Sequence, residues 1–220
     1  MKTTAILSFI ALIASGLAFR APEATSKGSP YCLTTCAVSG EPLGKDTVTI
    51  VVEDASSKIN DGREIKVCCS KCAKKFKSDQ ATFLKKVDEA MITEQLKWYP
   101  DGSCMVMPDD KLPDPRGADA MEAKNIVVRN QLVRLCCGKC VKKVRADPDT
   151  WVTKVVAQVV AAQKPGYPLD TCVISGEKLG DDAVDTVIGS RLVRTCCDKC
   201  AAKAKADPIA AFAKLDAAKK

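Results

Sequence analysis

A pentapeptide of the form Cys-Cys-x-Lys-Cys is written three times in this chain, and it constrains the fold more than any other feature. The copies are Cys68-Cys69-Ser70-Lys71-Cys72, Cys136-Cys137-Gly138-Lys139-Cys140 and Cys196-Cys197-Asp198-Lys199-Cys200. A lone cysteine stands upstream of each: Cys36, Cys104 and Cys172. Tyr31, Tyr99 and Tyr167 each lie five residues before that lone cysteine, and 68 residues separate successive tyrosines. Matches in register at a constant period mark an internal duplication, which overrides the domain count that length alone would give. The chain therefore divides into repeats over residues 31–92, 98–163 and 166–220.

Local patterns give each repeat the same order of elements. Val48 to Val52, Ile126 to Val128 and Val184 to Ile188 have strand character. Glu64 to Val67, Gln131 to Leu135 and Arg191 to Thr195 form the second strand of a hairpin. Asp61-Gly62, Arg129-Asn130 and Gly189-Ser190 supply the turns between them. A short helix follows each pentapeptide, with Phe76, Val144 and Ala204 four residues past the last cysteine and on its face. Asp79, Asp147 and Asp207 then close that helix, and a second one runs through Phe83 to Met91, Trp151 to Ala162 and Ile209 to Ala218. In the latter two repeats the Asp precedes Pro148 or Pro208, a helix-starting pair. The gap from lone cysteine to pentapeptide is 32 positions in the first two repeats and 24 in the third. The extra residues read as loop, over Glu53 to Asn60 and Pro108 to Asp119. The fold class is α+β: three tandem modules, each a knuckle-like loop, a β-hairpin and two short helices.

Aromatic content of 5% argues against one large core. Modules of about 60 residues bury little surface and are marginal unless metal or disulfide staples them. The net charge of +7 comes from basic residues interspersed with acids, which reads as solvated helix faces. Nucleic-acid binding is not expected from that pattern. The chain has no histidine, which excludes His-containing zinc fingers, Ser-His-Asp triads and Cys-His proteases.

Met1-Lys2, the apolar run Ala5 to Phe19 and the small residues Gly16-Leu17-Ala18 form a signal-peptide pattern over residues 1–20, so the chain is expected to be secreted or periplasmic. The run is short for a spanning helix, and no stable membrane insertion is expected after cleavage. Residues 21–30 read as a flexible linker. Export favours disulfides, so metal ligation by the thirteen cysteines needs its own argument.

That argument is chemical. A thiolate at a helix start is stabilised by unpaired backbone N–H groups and the positive end of the dipole. Lys71, Lys139 and Lys199 add positive charge beside the last cysteine, or serve solubility alone. Two ligand sets are open. One joins the lone cysteine to the first and last cysteines of the pentapeptide, three sulfurs suited to Cu(I) or a heavy-metal ion. The other adds the middle cysteine, Cys69, Cys137 or Cys197, and makes the four-thiolate set that suits zinc. The three-cysteine set is favoured, because side chains of adjacent cysteines diverge; the middle cysteine is then a variable fourth ligand or a resolving thiol.

An upstream cysteine, a spacer, Cys-x3-Cys after a strand, then a short helix with Asp-Pro resembles the TRASH domain and the related YHS domain, small treble-clef-like relatives of zinc fingers. The third repeat carries the resemblance best, through Tyr167, Cys172, Ser175-Gly176, Gly189, Cys196, Cys200 and Asp207-Pro208. Where relatives sometimes have a second cysteine, three residues past the lone one, this chain has Ser39, Met107 or Ser175. Met107 is a thioether able to serve copper, or a core residue. The resemblance implies heavy-metal sensing, trafficking or resistance. Together these readings give a non-enzymatic protein whose partners are metal ions, zinc or copper, up to three per chain, with no protein partner indicated. Two alternatives stand beside it. Four cysteines per repeat could form two disulfides. Each pentapeptide also contains the Cys-x-x-Cys of a thiol–disulfide oxidoreductase, here without a βαβ context. Cys32 is the unmatched thirteenth cysteine, a free thiol or an intermolecular bridge.

Overall fold

A computed structural model describes residues 27–219. The signal-peptide reading of residues 1–20 therefore lies outside the described residues. Each repeat folds into a two-stranded antiparallel hairpin followed by two helices. The first has β1 (Val48–Val51), β2 (Glu64–Val67), α1 (Ser70–Ser78) and α2 (Gln80–Leu96). The second has β3 (Lys124–Val128), β4 (Gln131–Leu135), α3 (Gly138–Ala146) and α4 (Pro148–Gln163). The third has β5 (Val184–Ile188), β6 (Arg191–Thr195), α5 (Asp198–Ala206) and α6 (Pro208–Ala218). The expected α+β class holds. Among the described residues, no helix is long and apolar enough to cross a membrane.

Local chemistry sets the element boundaries. Asp79, Asp147 and Asp207 each end one helix and cap the next, their side chains accepting from Thr82 N, Thr150 N and Ala210 N. Such a cap satisfies an N–H that would otherwise have no partner. The cap works at Asp79 without a following proline, so the aspartate rather than the Asp-Pro pair is the common device. In the second hairpin Arg129 and Asn130 both take positive φ, 43° and 69°. That is the backbone a two-residue turn of the I′ type requires.

Two expectations are corrected here. Low aromatic content was read as excluding a large core, yet one buried cluster runs from Tyr31 through Phe76 and Met91 to Leu132, Val155 and Val187. The second helix of a module extends past its own hairpin and packs on the next one: α2 lies against β3 and β4, and α4 against β5 and β6. Aliphatic side chains from neighbouring repeats thus supply the surface that scarce aromatics do not. Residues 27–30, read as flexible linker, are instead pinned between turns. Lys27 N–H donates to Gly62 O (2.6 Å) and Ser29 N–H to Arg129 O (3.0 Å). Gly189 N–H donates to Ser29 Oγ (2.8 Å). This short segment touches the turn of all three hairpins.

Asn130 completes that hub. It is fully buried. Its Oδ1 accepts from Arg63 Nε (2.7 Å), and its Nδ2 donates to Ser29 O (3.2 Å) and Glu64 O (2.7 Å). Arg63 is itself buried and pairs with Asp88 at 2.6 Å. Two glutamines repeat one further contact. Gln95, at the end of α2, accepts from Leu132 N and donates to Asn130 O, both at 2.8 Å. Gln163, 68 residues later at the end of α4, accepts from Leu192 N and donates to Ser190 O, again at 2.8 Å. Each clamps its helix to the backbone of the next hairpin.

Cys32 is 4% exposed and packs with Val173, Ile188 and Val193 of the third repeat. An intermolecular bridge from this position is excluded by that burial, which corrects one of its two readings. Desolvation by burial pushes its thiol up to about 12. In native protein Cys32 is therefore expected to resist an alkylating reagent that modifies the exposed Cys197 rapidly. Peptide mapping after brief alkylation, with and without denaturant, tests this; equal labelling of both in native protein would refute the burial.

Candidate metal centres

The lone cysteine of each repeat sits in a knuckle. A single bridge closes each one: Thr35 with Pro42, Ser103 with Lys111, and Thr171 with Lys178. Cys36 N–H donates to Glu41 O (2.7 Å), Cys104 N–H to Asp110 O (2.8 Å) and Cys172 N–H to Glu177 O (2.6 Å). In the outer repeats the chain then turns back, Gly40 N–H to Cys36 O (3.0 Å) and Gly176 N–H to Cys172 O (2.8 Å). Both glycines have positive φ, 77° and 78°, which a side chain would strain. The knuckle docks on the hairpin through Ala37 N–H to Lys66 O (3.1 Å) and Val173 N–H to Arg194 O (3.4 Å). In the last two repeats the tyrosine helps: Tyr99 Oη accepts from Arg134 N (3.4 Å) and Tyr167 Oη from Arg194 N (2.9 Å).

The pentapeptide spans the strand–helix junction, so its first cysteine ends the hairpin and its last lies in the first turn of a helix. Three sulfurs converge there in every repeat: Cys36, Cys68 and Cys72; Cys104, Cys136 and Cys140; Cys172, Cys196 and Cys200. Within each group all three lie within 4.8 Å of one another. The first and last sulfurs are 3.6 Å apart in the first two repeats and 3.8 Å apart in the third. Thiolates bound to one tetrahedral ion at about 2.3 Å stand about 3.8 Å from each other. The spacing fits a shared ion, and none of the thirteen cysteines is in a disulfide. Each repeat thus holds a cysteine triad able to accept a metal ion.

Cys69, Cys137 and Cys197 lie outside these groups. Each touches one member: Cys69 is 3.8 Å from Cys68, Cys137 is 3.6 Å from Cys140, and Cys197 is 3.7 Å from Cys196. They occupy the N-cap position of α1, α3 and α5. Backbone N–H groups of the first helical turn draw these thiols down, Cys72 N–H acting first on Cys69 and Cys140 N–H on Cys137, which falls to about 7. The side chains of Lys71, Lys139 and Lys199 are exposed. Helix backbone therefore leads in activating these thiols.

Electrostatics divide the labour within a triad. Burial works to raise Cys36, but hydrogen bonds from the Ser39 hydroxyl and from backbone N–H groups outweigh it and bring the thiol down to about 6. Val38 N and Ser39 N both stand 3.4 Å from its sulfur. Cys172 is likewise brought to about 6, against the same burial, with Ser175 N at 3.4 Å. Cys104 is lowered too. The other members move up: burial carries Cys72 to about 12 and Cys140 to about 11. Cys196 also rises to about 12, its neighbours Cys172 and Cys197 and burial outweighing the Ser175 hydroxyl. Each outer triad thus pairs one readily ionised thiol with neighbours held in the protonated form.

Met107 is 46% exposed, so it is not the core residue that its apolar character allowed. Sequence reasoning also missed Glu41, Asp110 and Glu177, whose carbonyls close the three knuckles. Glu41 and Glu177 each lie five residues past the lone cysteine, a recurrence that could have revealed them. The second loop is one residue longer and breaks the register. Comparison with family models, curated proteins and solved structures found nothing that matches this chain.

Proposed function

We propose that this is an exported, non-enzymatic metal-binding protein, in which each triad holds one zinc or copper ion for sequestration, trafficking or sensing. The observation that carries the reading is the convergence of three sulfurs at ligand spacing in all three repeats. Resemblance to TRASH and YHS domains supports it through the same three positions, upstream Cys and Cys-x3-Cys. Three thiolates suit soft or borderline ions, and a triad without histidine favours Cu(I) among the copper states. Export rests on the N-terminal pattern of Met1 to Phe19.

Native mass spectrometry after anaerobic loading with Zn(II) or Cu(I) is expected to show up to three ions per chain. A chain that retains none would overturn the proposal. Proton linkage gives an independent check. Between about pH 7 and 8 the lone cysteines of the outer repeats are already ionised, while Cys72 and Cys196 carry protons. Cys68 and Cys200 are also raised. Loading an outer site therefore expels two protons, and its affinity should rise by about two log units per pH unit. Below about pH 6 the lone thiols protonate as well, and affinity falls more steeply still. An affinity independent of pH over this range would contradict thiolate binding.

A further inference from the structure

The net charge of +7 is unevenly placed on the fold. The three short helices that carry the last cysteine of each triad, α1, α3 and α5, hold eleven of the 34 basic residues and one of the 27 acidic ones, Asp198. They carry +10, while the rest of the chain, with 23 basic and 26 acidic residues, stands at −3. All eleven basic side chains are exposed. Among the described residues none of the eleven forms an ion pair; the ion pairs are made elsewhere, by residues such as Arg63, Arg129 and Arg191. Lys71 and Lys75, Lys139 and Lys143, and Lys199 and Lys203 stand four residues apart on one helix face, where like charges repel. Cations in the last turn suit the negative end of a helix, but Lys71, Lys139 and Lys199 lie in the first turn and oppose the positive end. A helix face that serves solubility alone mixes both signs. This one keeps a repelling pair in all three copies, while the buried residue beside it changes from Phe76 to Val144 to Ala204. Offsetting the charge of a metal–thiolate cluster accounts for the lysine next to the last cysteine. It leaves Lys77, Arg145 and Lys205 unexplained, since they lie more than a helical turn further on.

Resting on the metal-binding reading above, we infer that the triads take their ion from a small anionic complex, in which the cation arrives bound by carboxylate- or thiolate-bearing ligands, and that α1, α3 and α5 are the surfaces on which this complex docks. A charge of +4 on each of the first two helices and +2 on the third repels a free aqueous cation and concentrates an anion. A surface built to gather free cations would carry acids in these places. The sulfurs are graded to match. Cys68, Cys136 and Cys196 are only half-buried, while the lone cysteines Cys36, Cys104 and Cys172 are buried. A docked complex therefore meets the first sulfur of the pentapeptide before the sulfur in the knuckle. Exchange then proceeds bond for bond: each metal–ligand bond that breaks is replaced by a metal–sulfur bond, the thiol proton leaves to the departing ligand or to water, and the ion keeps its oxidation state.

The test is stopped-flow transfer of Cu(I) to the full chain from two coloured donors of opposite charge, the anionic bicinchoninate complex and the cationic neocuproine complex. Wild type should strip the anionic donor at a rate proportional to protein concentration. That rate should fall by about threefold or more between about 20 and 300 mM salt, as screening shortens the reach of the field. The cationic donor should show the opposite salt trend. The variant carries Lys75→Glu, Lys143→Glu and Lys203→Glu together, which turns each repelling pair into an attracting one and leaves every sulfur in place. At low salt its transfer from the anionic donor should slow by about tenfold, and its transfer from the cationic donor should quicken. The number of ions bound at equilibrium should not change. A rate from the anionic donor that is independent of protein concentration, or equal in wild type and variant, would overturn the inference and leave the metal-binding reading standing. Slower transfer from both donors in the variant would also overturn it, because the lysines would then be supporting the site and not steering charge. Wild-type protein that takes Cu(I) from neither donor would defeat both readings.

Discussion

Replacing Cys200 with serine is expected to lower the metal content of the chain from three ions to two. Cys200 lies in the first turn of α5 and forms the third triad with Cys172 and Cys196. A serine hydroxyl does not ionise near neutral pH and is a hard donor, so the site keeps two thiolates where a soft ion needs three. The exchange of sulfur for oxygen is small in volume, and Cys200 is 8% exposed, so the helix should survive it. The other two triads draw every sulfur from their own hairpin, knuckle and helix, and should load as before. Cys197→Ser is the informative companion. Cys197 is exposed and outside the triad, so this variant should still load three ions. Native mass spectrometry reads both directly. Three ions in the Cys200 variant would remove that residue from the ligand set. Two ions in the Cys197 variant would make the site a four-thiolate one.

The second large effect should come from a residue outside all three triads. Asn130→Ala is expected to destabilise the protein by about 4 kcal/mol or more. The side chain holds Arg63 Nε, Ser29 O and Glu64 O, and the site is fully buried. Each buried polar group left without a partner costs about 1–3 kcal/mol. Alanine must also adopt the positive φ of 69° that asparagine tolerates here. That adds about 1–2 kcal/mol. For a chain of this size the loss corresponds to a Tm lower by about 10 °C or more. Asn130→Gly separates the two contributions, because glycine removes the backbone cost and keeps the orphaned groups. It should recover about 1 kcal/mol of the loss. A Tm for N130A within about 2 °C of wild type would show that the three turns do not depend on this hub.

The cysteine sites were legible because their parts lie close together along the chain: a strand, two adjacent cysteines, a helix start. Strand alternation, a capping aspartate and a helix N-terminus are fixed by residues within a turn or two of each other. The choice of three sulfurs over four had a local basis as well, since neighbouring side chains on an extended segment point apart. Met107 and Cys32 were ambiguous for the opposite reason. Whether an apolar or sulfur side chain is buried depends on what packs over it, and neither residue has that neighbour nearby in sequence.

The chain by itself determined the threefold duplication, the order of elements in each repeat and the cysteines that meet, because a repeated local pattern folds in a repeated local way. Tertiary structure alone decided that α2 and α4 cover the next hairpin and that residues 27–30 lock three turns together. It also decided that the Ser175 hydroxyl holds Glu177. Ser29 and Gly189 lie 160 residues apart, and Arg63 and Asn130 lie 67 apart. Contacts across such distances are selected by how whole surfaces fit once formed, a property that no window of sequence contains.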